Sequence, residues 1–217
     1  MPARVVPLTI VLALLVGTAA AFAVTERLKL EKAPITGTQV DKTFSPVCGC
    51  ETRLAHIRFR LTRADRIRLT MIDADGRTVR TLIRSRRFSR GRHSFTWNGR
   101  SDGGRVVSDG DYRPRVELSR GNRTIVLPNP IHVDTVRPRV NVVRVVGGRS
   151  LRVDYRLSER GHALLFAGRT RVYYGRFQRP VGSIVYRPPA GAIAPLSIAA
   201  VDTAGNMSKR VKLPPPA

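Results

Sequence analysis

Three short stretches of this 217-residue chain hold residue types that can do chemistry. Gly99-Arg100-Ser101-Asp102-Gly103 satisfies G-x-S-x-G, the pattern that presents a nucleophilic serine at a sharp strand-to-helix turn. Cys48-Gly49-Cys50 sets the only two cysteines one residue apart, a spacing open to a local disulfide, thiol redox work or a soft metal. Asp73-Ala74-Asp75-Gly76 brings two carboxylates close enough to suggest an acid–base pair.

Each stretch also has a reading without catalysis. A nucleophile elbow needs a helix after the serine, and no helical period follows Ser101. The nearest histidine, His93, sits on the preceding apolar-alternating run, so no base converges on Ser101 and the stretch reads as a hairpin loop. DADG is a turn sequence, because Asp and Gly tolerate positive φ. For Cys48 and Cys50 a structural disulfide is the favoured reading. Intermolecular or free thiols, Cu(I) binding helped by His56, and redox activity stay open beside it. The four histidines are spread from His56 to His162 with no zinc-ligand spacing. The expectation is therefore no enzyme, no catalytic residue, no cofactor and no metal.

The elements around these stretches set the frame. Val5–Val24 is 20 residues without a charge, which as a helix spans about 30 Å, the thickness of a bilayer core. Arg4 precedes it, so the N-terminus is expected on the cytoplasmic side and the rest of the chain outside. Two fates are open. Ala21-Phe22-Ala23 has the form of a signal-peptidase site, giving a secreted protein cleaved near Ala23, whereas the long apolar run favours a retained signal anchor over residues 1–24. Residues 25–43 read as a polar juxtamembrane stalk.

From Ala55 the period becomes two. Ala55, Ile57, Phe59 and Leu61 alternate with polar residues, and Ile67, Leu69 and Met71 repeat the pattern. Tyr112, Pro114, Val116 and Leu118 alternate again, with Pro114 pointing to an edge strand. Beyond Ile131 the runs at Leu151–Leu157, Ala163–Phe166, Val172–Tyr174, Ile184–Tyr186 and Leu196–Ala200 continue the series. Short strands about every ten residues with Gly/Asp turns predict an all-β chain of two tandem Ig-like or fibronectin-like β-sandwiches after one N-terminal transmembrane helix. The expected units are 44–122 and 123–217.

One resemblance rests on the order of several turns. A strand is followed by Asp73-x-x-Gly76, Val79-x-x-Leu82, Gly91-x-His93, Trp97-Asn98-Gly99, Gly103-Gly104 and Gly110-Asp111-Tyr112. Over residues 44–120 this resembles the Ig-like domain of the flagellar hook-capping protein family, a domain also found in secreted proteases. The resemblance implies a structural role for Asp73, Gly76, Trp97, Asn98, Gly99, Gly110 and Tyr112. It does not imply hook assembly, since nothing here resembles that family's N-terminal assembly segment. Relatives open with an acidic FSPNGDG loop where this chain has FSPVCGC, so no calcium is expected there. The second unit more weakly resembles bacterial Ig-like or fibronectin-like modules, through VDTVRPRV and AVDTAGNMS.

Charge bounds the partners. Lys+Arg is 39 against 15 for Asp+Glu, a net charge of +24, and only five of the basic residues are Lys. The surplus attracts anionic partners, although its scatter along strands also fits a simply solvated face. Arg58, Arg60, Arg66 and Arg68, alternating outward, are the candidate contacts for an anionic partner. The combined expectation is a non-catalytic structural or adhesive module of the bacterial envelope. It is held at the cell membrane by residues 5–24 and meets an envelope protein or an anionic wall polymer. The alternative is a surface protein that binds nucleic acid or another anionic polymer through its charge.

Overall fold

Alternation sorts side chains as anticipated. On the strand from Ala55 to Leu61 the apolar residues Ala55, Ile57, Phe59 and Leu61 are buried, while Arg58 and Arg60 are exposed. The computed structural model describes residues 5–30, 33–189 and 194–216, with helix side chains described for 10–22.

The helix α1 (Val5–Leu30) precedes a chain that, among the described residues, is otherwise β apart from the 3₁₀ turn Glu51–Arg53. Its described side chains are exposed. Among the described residues no helix is long and apolar enough to cross a membrane, so the expected transmembrane helix is not supported by the structure. The expectation resting on Arg4 lies outside the described residues.

The first sandwich uses β1 (Ile35–Val40), β2 (Thr43–Phe44), β3 (Ala55–Leu61), β4 (Asp65–Ile72), β5 (Thr78–Phe88), β6 (Gly91–Trp97), β7 (Gly110–Leu118), β8 (Arg123–Val126) and β9 (Ile131–Val133). One sheet runs β1-β3-β6. The other runs β2-β9-β7-β4-β5, with β8 also on β7. Between them lie Phe44, Ile57, Phe59, Leu61, Ile67, Leu69, Met71 and Trp97, all at most 1% exposed. The second sandwich uses β10 (Val140–Val146), β11 (Leu151–Leu157), β12 (Gly161–Ala167), β13 (Thr170–Tyr174), β14 (Val181–Tyr186), β15 (Leu196–Asp202) and β16 (Val211–Lys212), in sheets β10-β11-β14 and β13-β12-β15-β16. Val153, Leu165, Ile184, Ile198 and Ala200 centre its core.

Three details differ from the sequence reading. Residues 25–43 are not wholly a stalk, because β1 lies among them and pairs antiparallel with β3. The first unit does not end at 122, because β8 and β9 pair with β7 and complete its sheet through Val133. At six, four and three residues, β1, β8 and β9 are too short for a strand period to show. Finally, Pro114 sits on an interior strand. Its carbonyl accepts from Leu127, so its missing N–H points to the edge where β9 has stopped at Tyr112 and β8 begins at Arg115. No ladder bond is lost in that gap.

The motif residues lie in the turns and the core of the first sandwich. Asp73 Oδ1 accepts from the backbone N–H of Asp75 and Arg77 at 3.0 and 2.8 Å, and Gly76 takes φ +79°. Trp97 packs on Phe44 and Tyr112, with ring centroids 5.5 and 5.2 Å away, and donates its Nε1–H to Arg100 O. The Tyr112 hydroxyl donates to Ser108 O at 2.8 Å. Asn98 Oδ1 accepts from the Arg100 N–H at 3.3 Å, and Gly110 lies at φ +145°. Gly99 combines φ +64° with a backbone so close to Pro46 that a Cβ would lie 2.7 Å from its Cβ.

The sandwiches also touch. Thr52 Oγ1 donates to Ala204 O at 2.8 Å, and Asn206 Nδ2 donates to Asp134 O at 3.0 Å. Gly205, at φ +94°, faces Thr52 and the Cys48–Cys50 loop so closely that a Cβ would fall on Thr52 Oγ1 and Cys50 Sγ.

Two substitutions test these close approaches. Gly99→Ala is expected to cost at least about 1–3 kcal/mol, from the left-handed backbone alone, and to lower the melting temperature in a thermal scan. Gly205→Ala, incurring a similar cost at the junction, is expected to resolve calorimetric unfolding into two separate transitions. A single unshifted transition would show that the Cys48–Cys50 loop does not hold the second sandwich.

Candidate interaction surfaces and the domain junction

Ser101 lies in a stapled hairpin loop. Its N–H donates to Arg105 O and its carbonyl accepts from the Gly104 N–H. The neighbouring Asp102 ties the loop to β5, accepting from Thr81 N–H at 3.0 Å and Thr81 Oγ1 at 3.1 Å. The backbone bond from Thr81 is the main reason its carboxyl lies below the usual range. The histidines are engaged elsewhere: His56 with Asp41, His132 with Asp111, His93 with Ser89 O and His162 with Gly175 O. G-x-S-x-G is thus turn chemistry, with Asp102 as its anchor.

Cys48 and Cys50 are joined, with an S–S length of 2.05 Å. The loop they close sits against the Asp202–Asn206 turn, and Cys50 Sγ lies 3.0 Å from Thr52 Oγ1.

The four arginines expected to act together are divided between opposite faces of the sandwich. Arg58 and Arg60 project from β3 on the outside of the three-stranded sheet. There they join Arg92, the cross-strand partner of Arg60, around a shallow depression of ≈ 410 Å³ that Gln39 and Ser94 also line. Arg66 and Arg68 project from β4 on the other sheet. Arg66 faces Arg87, whereas Arg68 faces Glu117 and meets it at 3.7 Å. Arg92 completes the first group and was missed in the sequence. Its signal was the exposed alternation of β6, but only the register shows that it falls opposite Arg60.

The second missed constellation is acidic. Asp134 after β9, Glu159 between β11 and β12, and Asp202 at the end of β15 bring carboxylate oxygens within 4.8 Å of one another. Asn206 organises the site. Its backbone N–H and side-chain amide donate to the two oxygens of Asp202 at 2.9 and 3.0 Å, and the amide also reaches Asp134 O. Burial, followed by the neighbouring carboxylates, pushes Asp134 and Glu159 above the ordinary range. Three such oxygens can share protons or contribute to a hard-cation shell, although a calcium-sized ion takes about 6–8 oxygens. The tripeptide Val-Asp-Thr occurs at both 133–135 and 201–203, a repeat visible in the sequence, but only the fold brings the two aspartates together.

The raised pKa values fix a sign. The folded state holds these protons more tightly than the unfolded chain, so ionisation costs stability as pH rises through the raised pKa values and costs nothing below the ordinary carboxylate range. Glu159→Gln is expected to raise stability at pH 7 by roughly 0.5 kcal/mol, the scale of a partly exposed charge cluster. Near pH 3, where both carboxyls are protonated, it should change little. Melting temperatures across that range provide the check, and a loss at pH 7 would contradict the repulsion.

Residues 52–122 match the family model described as FlgD Ig-like domain. The basal-body rod modification protein FlgD of Salmonella typhimurium and that of Salmonella typhi are each 38% identical over 63 residues, covering 29% of this chain and 27% of the relative. The chain thus spans about a quarter of the length of these relatives. Solved structures with a likeness include the BSP domain of a biofilm associated protein, with 13% identity, a TM-score of 0.31, and 83% of this chain and 29% of that one covered. The E. coli chaperone DraB shows 11% identity and a TM-score of 0.33, with 82% and 96% covered. Across residues 52–122 the chain is similar to the FlgD Ig-like domain, which bears out the hook-capping resemblance carried by Trp97-Asn98-Gly99 and Gly110-Asp111-Tyr112.

Proposed function

We propose that this chain is a non-catalytic structural or adhesive module of the bacterial envelope, anchored in the membrane by residues 5–24 with both sandwiches outside the cytoplasm. The observation that carries the reading is the FlgD-type Ig-like domain at 52–122, whose exposed sheet faces present arginines rather than a closed pocket. Fold likeness gives the class of role and not its object. The 20-residue uncharged run at the N-terminus supports the anchor. Sheet faces with Arg58, Arg60 and Arg92 suit an anionic or proteinaceous surface, with guanidinium groups free to bind carboxylate or phosphate oxygens in pairs. A second reading, binding of nucleic acid or another anionic polymer, is favoured by the net charge of +24.

Co-sedimentation of the full chain in detergent with isolated envelope, from low salt to about 0.5 M, separates the two readings. Binding that outlasts that of a charge-matched basic protein at high salt is the expected result for an adhesive module. Loss in parallel with the control, together with a steep salt dependence on duplex DNA, would replace it with the polyanion reading.

A further inference from the structure

The first sandwich has two unlike ends, and strand register defines them. Leu61 pairs with Ile35 and with Gly91, Asp65 with Phe88, and Leu118 with Arg123. The turns at 62–64, 89–90 and 119–122 therefore gather at one end, together with the start of β1, where the chain arrives from α1. Arg63, Arg90 and Arg120 occupy the three turns. Beside them stand two cross-strand pairs of like charge, Arg60 opposite Arg92 and Arg66 opposite Arg87. All seven are exposed. The one carboxylate among the described residues of these turns and their flanking positions is Asp65. Its Oδ1 already accepts the backbone N–H groups of Arg66 and Arg120 at 2.7 and 3.1 Å.

The opposite end differs. Asp41, Asp75, Asp102 and Asp111 lie there among the basic residues Lys42, Arg53 and Arg105, and they pair with Arg77 (Asp75) and Arg80 (Asp102) and hydrogen-bond to the His56 (Asp41) and His132 (Asp111) rings. The chain leaves this end at Val133 for the second sandwich. Like charges directly opposite each other on a sheet oppose folding, so two such pairs on one end contribute nothing that the sandwich itself needs. A surface that supplies anionic oxygens relieves both pairs at once.

Position along the chain identifies that surface. α1 ends at Leu30 and β1 begins at Ile35, and five Cα steps reach at most about 18 Å. A sandwich on so short a leash keeps this end close to whatever holds α1. We infer that the basic end of the first sandwich docks on the anionic lipid headgroups of the bilayer that holds α1, turning the acidic end and the second sandwich outward. The inference rests on the anchor reading for its geometry, and on charge and register for its contact residues.

The test uses the full chain, oxidised so that Cys48 and Cys50 stay joined. Ser89→Cys at the basic end carries a fluorescent donor, and Asp75→Cys at the other end serves as control. The chain is reconstituted in vesicles of phosphatidylcholine alone or with roughly 30% phosphatidylglycerol, with acceptor dye on the headgroups. Energy transfer from position 89 is expected to be several-fold higher in the anionic vesicles and to fall in about 0.5 M salt. It is also expected to be lost when Arg63, Arg87, Arg90 and Arg92 are all replaced by Ser. Transfer from position 75 should not respond to lipid charge. The four-residue variant removes one member of each like-charge pair, so its melting temperature is expected to hold, and that is measured alongside. Equal transfer from position 89 in both vesicle types, or transfer unchanged in a folded four-residue variant, overturns the docking. A response to duplex DNA without one to anionic vesicles also overturns it, in favour of nucleic acid. An alkaline carbonate wash reports separately on the anchor. A chain that is stripped yet shows charge-dependent transfer overturns the anchor reading and leaves the docking standing. A retained chain with equal transfer does the reverse.

Discussion

The seat of Trp97 is the constraint on which most of the first sandwich depends. The indole is 1% exposed and touches Phe44 from the opposite sheet and Tyr112 from the start of β7. A ring that large can be buried only if its N–H finds an acceptor, and the chain supplies Arg100 O by turning sharply just after the tryptophan. That turn needs Gly99, because both the positive φ and the approach to Pro46 exclude a side chain. The loop that follows is then pinned by Asp102 to β5. Half-buried Ser101 rides on this arrangement, and a motif with catalytic letters performs a packing task.

A second constraint is where so many arginines can go. A sheet face in contact with the core admits none, and the strand period of two moves every arginine of β3, β4 and β6 to the outside. What the period leaves open is how the arginines and the few carboxylates divide among ends and faces. The acids collect at the end of the first sandwich that meets the second, where they cap turns and pair with cations. The end nearest α1 is left with like charges opposite one another. The result is a strongly polarised unit.

The junction joins these themes. The Cys48–Cys50 loop of the first sandwich rests on the Asp202–Asn206 turn of the second, and Asn206 ties that turn to Asp134 on the connecting segment. Holding one buried and two half-buried carboxylates beside one another costs stability unless they are protonated or bound by a cation, and Asn206 offsets part of that cost by donating its backbone and side-chain N–H groups to the two oxygens of Asp202. The junction contacts thus sit beside a local electrostatic penalty.

Local chemistry explains what could be read directly. Alternating apolar runs imply strands because a pleated backbone sends successive side chains to opposite faces. Asp73-x-x-Gly76 and Trp97-Asn98-Gly99 imply their turns because few residues tolerate positive φ. The all-β class, the likeness of residues 52–122 to the FlgD Ig-like domain and the hairpin loop around Ser101 follow from such signals. β1, β8 and β9 were hidden because strands of six, four and three residues are too short to establish a period. Pro114 was misjudged because its cost depends on which neighbour its missing donor faces, a property of topology. The split of Arg58 and Arg60 from Arg66 and Arg68, the arrival of Arg92 beside Arg60, and the meeting of Asp134, Glu159 and Asp202 are likewise matters of register and sheet order. The sequence by itself determined the elements and the sign of the charge, since both are sums over neighbouring residues. Only the tertiary structure decided which distant charges face one another, because that pairing is set by how strands are stacked and not by what any one of them contains.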